Sequence, residues 1–314
     1  MSITQKLKKG AAWTLGRALP IQKNKVVFSS FYGRGASDNP KAIVDALAQR
    51  PEKLDIVWLA KDPAHAGVPD NVRVVPYDTP AAIRELSTAR VWVDNCRKGA
   101  HVKKDGQYYM QTWHGFALKR IERDVADKLN TPENAAYAEY AKRDSAQIDA
   151  IISNSTFMTE IYQKSFWYHG AVLEYGSARN DILVNPPADA KQQVQQALHL
   201  PNDCQIIMYA PTFRADHSLD AYQLDYQAVC RACAQRFGGN WVMLVRLHPN
   251  VMKLAKDLKF DNQTTFDATA VDDMQLLLAG CDAVITDYSS LMFDFALTRR
   301  PCFQFAMDID AYKG

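Results

Sequence analysis

One feature limits the fold of this chain more than any other. Short, nearly continuous apolar runs alternate with stretches of helical period along its whole length. The runs are VVFSS (26–30), LDIVWLA (54–60), VRVVP (72–76), RVWVD (90–94), YYMQT (108–112), AIISN (150–154) and AVLEYG (171–176). After LVNPPAD (183–189), whose two prolines mark a linker, come QIIMYA (205–210), WVMLVR (241–246), DAVITD (282–287) and PCFQF (301–305). Helical patterns fall between them, near 39–49, 80–88, 133–146, 156–164, 188–199, 222–236, 271–279 and 290–299. Runs this short, apolar at successive positions, predict parallel strands covered on both faces. The expected class is α/β, with two Rossmann-like domains whose parallel sheets face each other across a cleft. A length of 314 residues suits two such cores.

Composition removes several function classes. A net charge of +2 gives no general case for nucleic acid, so none is expected as a partner. No apolar run is long enough to span a bilayer, and no secretory signal is evident. G-x-G-x-x-G and Walker motifs are missing, which argues against a dinucleotide oxidoreductase or a P-loop ATPase. Cys230 and Cys233 form a C-x-x-C inside a helical pattern, and no second pair completes a zinc site. The six cysteines therefore read mostly as reduced core residues, which fits a cytoplasmic compartment. No metal and no cofactor are expected. Residues 1–25 stand apart, with six Lys or Arg interleaved with Ile3, Leu7, Trp13, Leu15 and Leu19 and no acid before Asp38. Such a segment suits an anionic membrane surface; the plain alternative is a helix packed on the domain.

Polar chemistry gathers where strands end. Trp113-His114-Gly115 follows one strand, Ser177-Ala178-Arg179-Asn180-Asp181 another. Thr212-Phe213-Arg214, Leu247-His248-Pro249 and Tyr288-Ser289-Ser290 follow three more. Ser289 and Ser290 open an apolar helix, LMFDFAL, which is expected to be buried and to offer unpaired N–H groups to an anion. Alternatively, Asp287 or a serine merely caps that helix. Arg214 suits a phosphate, or else a salt bridge with Asp216. His114 and His248 are either structural or a neutral-pH base and its counterpart. Together they match what a pyrophosphate-containing donor and a hydroxyl acceptor need.

QTWHG, LKR, NS, G-x-x-RND, YAPTFR, RLHP and TDYSSLMFDF occur in that order over residues 111–312. This set resembles the CDP-glycerol glycerophosphotransferase family, the primases and polymerases of teichoic acids and related capsule polymers. The resemblance implies a GT-B arrangement and a phosphotransfer from CDP-glycerol, or a related CDP-polyol, that releases CMP. It implies His114 as general base and His248 as the group that contacts the pyrophosphate and assists CMP. Thr212, Arg214, Ser289 and Ser290 become donor phosphate contacts. Asp287 orients that turn, and Gly115, Arg179, Asn180 and Asp181 support the site. Residues 26–182 are expected to serve the acceptor, a lipid-linked saccharide or polyol phosphate, and residues 183–314 the donor. Work on such acceptors implies peripheral attachment through residues 1–25 at the cytoplasmic face of the cell membrane.

The pattern departs from the family in two places. Phe116-Ala117 stands where Thr-Pro is usual, and Ser177-Ala178 where Tyr-Pro is usual. Both lie on the acceptor side, so the resemblance specifies the donor more narrowly than the acceptor. Members of the family the chain resembles run on past the position of Gly314, which leaves a C-terminal truncation as an open reading. Two other readings stay open: a GT-B glycosyltransferase using a nucleotide sugar, and a non-catalytic nucleotide-binding scaffold at the membrane.

Overall fold

Successive residues of a strand point to opposite faces of its sheet, and here both faces are apolar. Val27 and Val57 belong to one buried cluster, with Trp92 and Tyr109. Their neighbours Phe28 and Trp58 belong to another, with Ile56 and Val93. The sheet between these clusters is dry on both sides, as a parallel sheet requires. It is seen in a computed structural model that describes residues 3–98, 101–128, 131–214, 219–248, 251, 258–310 and 312, with side chains from residue 9. The chain divides into two units, Met1–Arg179 and Asn180–Gly314.

The first unit carries β1 (Gln22–Ser29), β2 (Asp55–Ala60), β3 (Arg73–Pro76), β4 (Ala89–Asp94), β5 (Tyr108–Gln111), β6 (Ala150–Ile152) and β7 (Ala171–Leu173). Their order is β3-β2-β1-β4-β5-β6-β7, and every pairing is parallel. The order reverses between β1 and β4, where Ser29 lies opposite Asp94 and Asp94 opposite Gln111 of β5. Ligands of such sheets bind beyond the carboxyl ends of the strands at this reversal. The helices are α1 (Ile3–Ala18), α2 (Asp38–Ala48), α3 (Pro80–Thr88), α4 (Arg123–Ala126), α5 (Pro132–Ser145) and α6 (Thr156–Ser165). Local sequence sets several of their starts. Thr79 and Thr131 each accept a first-turn N–H just ahead of a proline, and Ser155 accepts from Met158 N.

The packing of α1 shows which of its sides docks on the unit. Its tryptophan does not face outward: Trp13 packs on the unit's core and against the His101 ring, 5.5 Å between centroids. Gly16 lies so close to Ser87 of α3 that a Cβ there would clash with its hydroxyl. Lys9 pairs with Asp78 at 2.5 Å, and Lys104 Nζ donates to Leu19 O at 2.7 Å, just past the helix end. The outward face keeps Leu15, 71% exposed, and Arg17. The side chains of Ile3, Lys6, Leu7 and Lys8 lie outside the described residues. No described helix is long and apolar enough to cross a membrane.

The second unit carries α7 (Asp181–Val184), α8 (Ala190–Ala197), β8 (Cys204–Tyr209), α9 (Tyr226–Phe237), β9 (Asn240–Val245), β10 (Thr265–Asp267), α10 (Met274–Gly280), β11 (Ala283–Thr286), α11 (Leu291–Ala296) and β12 (Cys302–Gln304). Its sheet runs β10-β9-β8-β11-β12, again all parallel. The edge strand β10 has no counterpart among the expected strands. It is three residues long and follows a polar turn in which Asp261 Oδ1 accepts the N–H groups of Gln263, Thr264 and Thr265. A correction concerns α11, which is not buried all round. Phe295 and Asp294 are buried, whereas Phe293, Ala296 and Leu297 are exposed. The helix lies beside β11 and β12, at the edge of the sheet, so one face alone meets the core. Five cysteines are buried and free; Cys302, on β12, is exposed and so departs from the core reading.

Candidate active site

In the first unit the chain leaves β5 through a turn that its own residues do not favour. Trp113 has φ 52°, uncommon for a residue with a bulky side chain. The indole stacks on His114 at 4.3 Å and meets the Phe166 ring edge-on at 4.6 Å. Phe31, from the loop after β1, meets the imidazole edge-on at 5.6 Å. His114 is thus in contact with two aromatic rings at the carboxyl ends of β1, β4 and β5.

Its protonation state follows from its hydrogen bond. His114 Nδ1 lies 2.6 Å from Asn95 O. A carbonyl only accepts, so Nδ1 carries the proton and Nε2 keeps its lone pair. Asn95 is held in turn: its Oδ1 accepts from Phe31 N at 2.9 Å, and its Nδ2 donates to Ser30 Oγ at 3.2 Å. Burial pushes the His114 pKa below the ordinary histidine value; the bond to Asn95 and the charge of Asp38 offset this in part. At neutral pH the ring is uncharged and able to take a proton.

Below this turn lies a buried polar layer that sequence reasoning missed. Arg97 binds Glu122 Oε2 through Nη2 at 2.5 Å, and Ala141 O and Ser145 Oγ through Nη1 at 3.0 Å each. Its guanidinium lies 6.0 Å from the Trp113 ring. Lys98 Nζ lies 2.6 Å from both Ser29 Oγ and Asp94 Oδ2. A signal was present in NCRKG (95–99), which follows a strand as the other polar segments do. Arg179 comes to the same turn: its Nη1 donates to His114 O at 2.8 Å. Gly115 is half-buried beside it.

In the second unit the predicted donor residues converge at the ends of β8 and β11. Asp287 Oδ1 accepts from Thr212 N at 2.8 Å and from Tyr288 N at 2.6 Å. Its Oδ2 lies 3.0 Å from Arg214 Nη2. Arg214 also forms a two-pronged pair with Asp308, Nε to Oδ2 at 2.7 Å and Nη2 to Oδ1 at 3.0 Å. The guanidinium lies 5.3 Å and 5.0 Å from the rings of Tyr288 and Tyr312. Asp216, the partner weighed from sequence, lies outside the described residues. Thr212 Oγ1 is buried with no hydrogen-bond partner among the described residues. Ser290 occupies the N-cap of α11 without a side-chain cap bond, and Ser289 Oγ accepts from Leu291 N at 3.3 Å. His248 stacks on Phe213 at 4.6 Å and its backbone N–H donates to Tyr222 Oη at 3.1 Å. Pro249 lies outside the described residues.

The RND residues part company. Arg179 serves the His114 turn. Asn180 is buried in the second unit, its Nδ2 donating to Asp294 Oδ1 at 2.8 Å and its Oδ1 accepting from Gln275 Nε2 at 2.6 Å. Asp181 is exposed in the first turn of α7. Arg246 of RLHP is a structural residue, donating to the carbonyls of Ala268 and Thr269 at 2.7 Å each and to that of Val271.

Comparison with known proteins places this geometry in context. The sequence model of the CDP-glycerol:poly(glycerophosphate) glycerophosphotransferases matches residues 12–314. A teichoic acid poly(glycerol phosphate) polymerase of Staphylococcus epidermidis is 33% identical over 94% of this chain. A teichoic acid glycerol-phosphate transferase of Staphylococcus aureus is 32% identical over 92%. The chain spans 42% of the first relative and 76% of the second. Among solved structures, a variant of the wall teichoic acid polymerase TagF soaked with CDPG matches with a TM-score of 0.84 and 30% identity, over 100% of this chain and 81% of that one. The fold is therefore the GT-B-like pair of parallel-sheet α/β units that the sequence led us to expect.

Proposed function

The chain belongs to the CDP-glycerol:poly(glycerophosphate) glycerophosphotransferase family, and on that footing we propose that it transfers glycerol phosphate, or a related polyol phosphate, from a CDP-linked donor to a hydroxyl of a lipid-linked acceptor in teichoic acid or capsule-type polymer synthesis. The hydroxyl oxygen attacks the glycerol-side phosphorus. The bond from that phosphorus to the bridging oxygen breaks, CMP leaves, and a phosphodiester forms. The names of the relatives and the CDPG soak of TagF support the donor class.

One observation carries the reading: His114 Nδ1–H donates a hydrogen bond to Asn95 O, which leaves a neutral ring with its lone pair on Nε2. Such a group takes the hydroxyl proton as attack begins. In the second unit, Arg214, Thr212, Ser289 and Ser290 supply donors to the pyrophosphate, and His248 assists the departing CMP. Positioning and charge stabilisation of this kind do most of the work in phosphoryl transfer. Asp287, which holds Thr212 and Arg214, orients the turn and leaves the phosphates to them. Gly115, Arg179, Asn180 and Asp181 support the framework. We assign acceptor handling to residues 26–182 and donor handling to 183–314. Residues 1–25 touch an anionic membrane at its cytoplasmic face through the outward side of α1, where Leu15 and Arg17 are exposed.

The test is incubation with CDP-glycerol, CDP-ribitol or a nucleotide sugar and a lipid-linked acceptor, followed by CMP release and product mass. The expected product gains one or more glycerol phosphate units; a gain of a sugar refutes the proposal. His114→Ala should lower the rate of CMP release by roughly 10²–10⁴-fold. Unchanged release would remove His114 as the base.

A further inference from the structure

We propose that Asp38 and Arg179 are positioning residues: a buried ion pair that holds the 112–115 turn and so aims the His114 imidazole. The proposal rests on the reading of His114 as the base. It gives Arg179 a defined task and brings in Asp38, which no motif singled out.

The geometry begins with Asp38 itself. Its φ of 66° is left-handed, uncommon outside glycine but tolerated by Asp. Here its Oδ1 accepts from Asn39 N at 2.6 Å. That conformation turns Oδ2 to Arg179 Nη1 at 2.6 Å, and the two side chains are 8% and 9% exposed. The same Nη1 donates to His114 O at 2.8 Å. Arg179 N donates to Asn39 Oδ1 at 3.1 Å, and Asn39 Nδ2 donates to Trp113 O at 3.3 Å. The carbonyls of residues 113 and 114 are therefore held by two partners, Asn39 and Arg179, that lie 140 residues apart in sequence. Asn95 O in turn holds Nδ1. Between these anchors sits Trp113, in a conformation that its local preferences oppose. Polar groups at the end of a strand usually find water. These are buried and find each other, which fixes one arrangement of the turn.

The pair also sets the charge that His114 feels. The charged groups that bear on the ring are Asp38, from the start of α2, Arg179, from the end of the unit, and Glu122, from the segment ahead of α4. Asp38 and Glu122 favour its protonated form; Arg179 disfavours it. Removing one member of the pair therefore moves the His114 titration one way, and removing the other moves it the opposite way. Opposite shifts show that both charges act on the ring, and the loss of kcat shows that the pair also aims it.

The experiment uses the full chain as wild type, Asp38→Asn, Arg179→Gln and the double variant. The His114 titration is followed by NMR of labelled histidine, with the signal assigned from His114→Gln. The rate of CMP release from CDP-glycerol with lipid-linked acceptor is measured against pH. Asp38→Asn should lower the His114 midpoint and carry the acid limb of kcat/KM to lower pH. Arg179→Gln should raise both, and the double variant should return towards wild type. Each single variant should lose roughly 10–100-fold in kcat with little change in donor KM, the cost of a misaimed base. Midpoints that stay put or move in the same direction overturn the proposal, as does kcat within twofold of wild type in both single variants. Should either single variant fail to fold, Asp38→Glu and Arg179→Lys keep the charges and alter the reach. They should keep the wild-type midpoint and lose kcat, and a wild-type kcat in both overturns the brace. If the wild type itself releases no CMP, the reaction assignment fails, while NMR still decides the brace: loss of the Nδ1–H signal bonded to Asn95 O in both single variants supports it, and an unchanged signal in both overturns it.

Discussion

Arg214 meets two carboxylates at once, Asp287 at 3.0 Å and Asp308 at 2.7 Å. The two differ in setting: Asp287 is buried, whereas the Asp308 side chain is 39% exposed. Arg214 holds the Asp308 carboxyl below its ordinary range, so it is charged at neutral pH. A phosphate arriving at Arg214 then competes with Asp308 for the same N–H groups. Asp308→Asn should tighten CDP binding several-fold in isothermal titration; weaker binding would mean that Asp308 aims the guanidinium instead. At this scale the sequence was partly legible. Arg214, Thr212 and Asp287 stand in short motifs at strand ends, and strand ends could be read. Asp308 lies 94 residues from Arg214 and Asp38 lies 141 from Arg179. Pairs that far apart are made by the fold, and nothing local announces them.

Among the elements, strands were easier to read than helix faces. An apolar run with both faces buried looks the same wherever it sits, so β1 and β8 could be recognised without knowing their neighbours. The edge strand β10 has no such run and was missed. The apolar residues of α11 suggested burial all round, but periodicity carries no information about whether a helix lies over the middle or the edge of a sheet. For α1 the amphipathic pattern was legible, while the side that docks was decided by Gly16 meeting Ser87 and Trp13 meeting His101. That docking has a pH signature. Burial holds the His101 pKa down at about 4, against about 6.5 when unfolded. The unfolded chain then binds the extra proton first, so stability is full above pH 6.5 and falls as pH drops towards 4. Thermal melts from pH 7 to pH 5 should show a decline that His101→Gln reduces; equal declines would exclude His101 as a cause.

For the whole molecule, the two units have separate cores. Trp92 and Trp58 anchor the clusters of the first, and Phe295 and Tyr209 those of the second. Unfolding of such a chain need not be two-state. A ligand stabilises the part that binds it, by about 2.7 kcal/mol at a hundred times its Kd. Calorimetry with CDP should therefore raise the transition of the second unit; an equal rise in both would refute the donor assignment. Cysteine placement has a practical consequence on the same scale. Five thiols are buried, four of them inside the cores of the second unit, and Cys302 alone lies open on β12. These 314 residues thus already carry one addressable point for a dye or spin label, on the unit assigned to the donor.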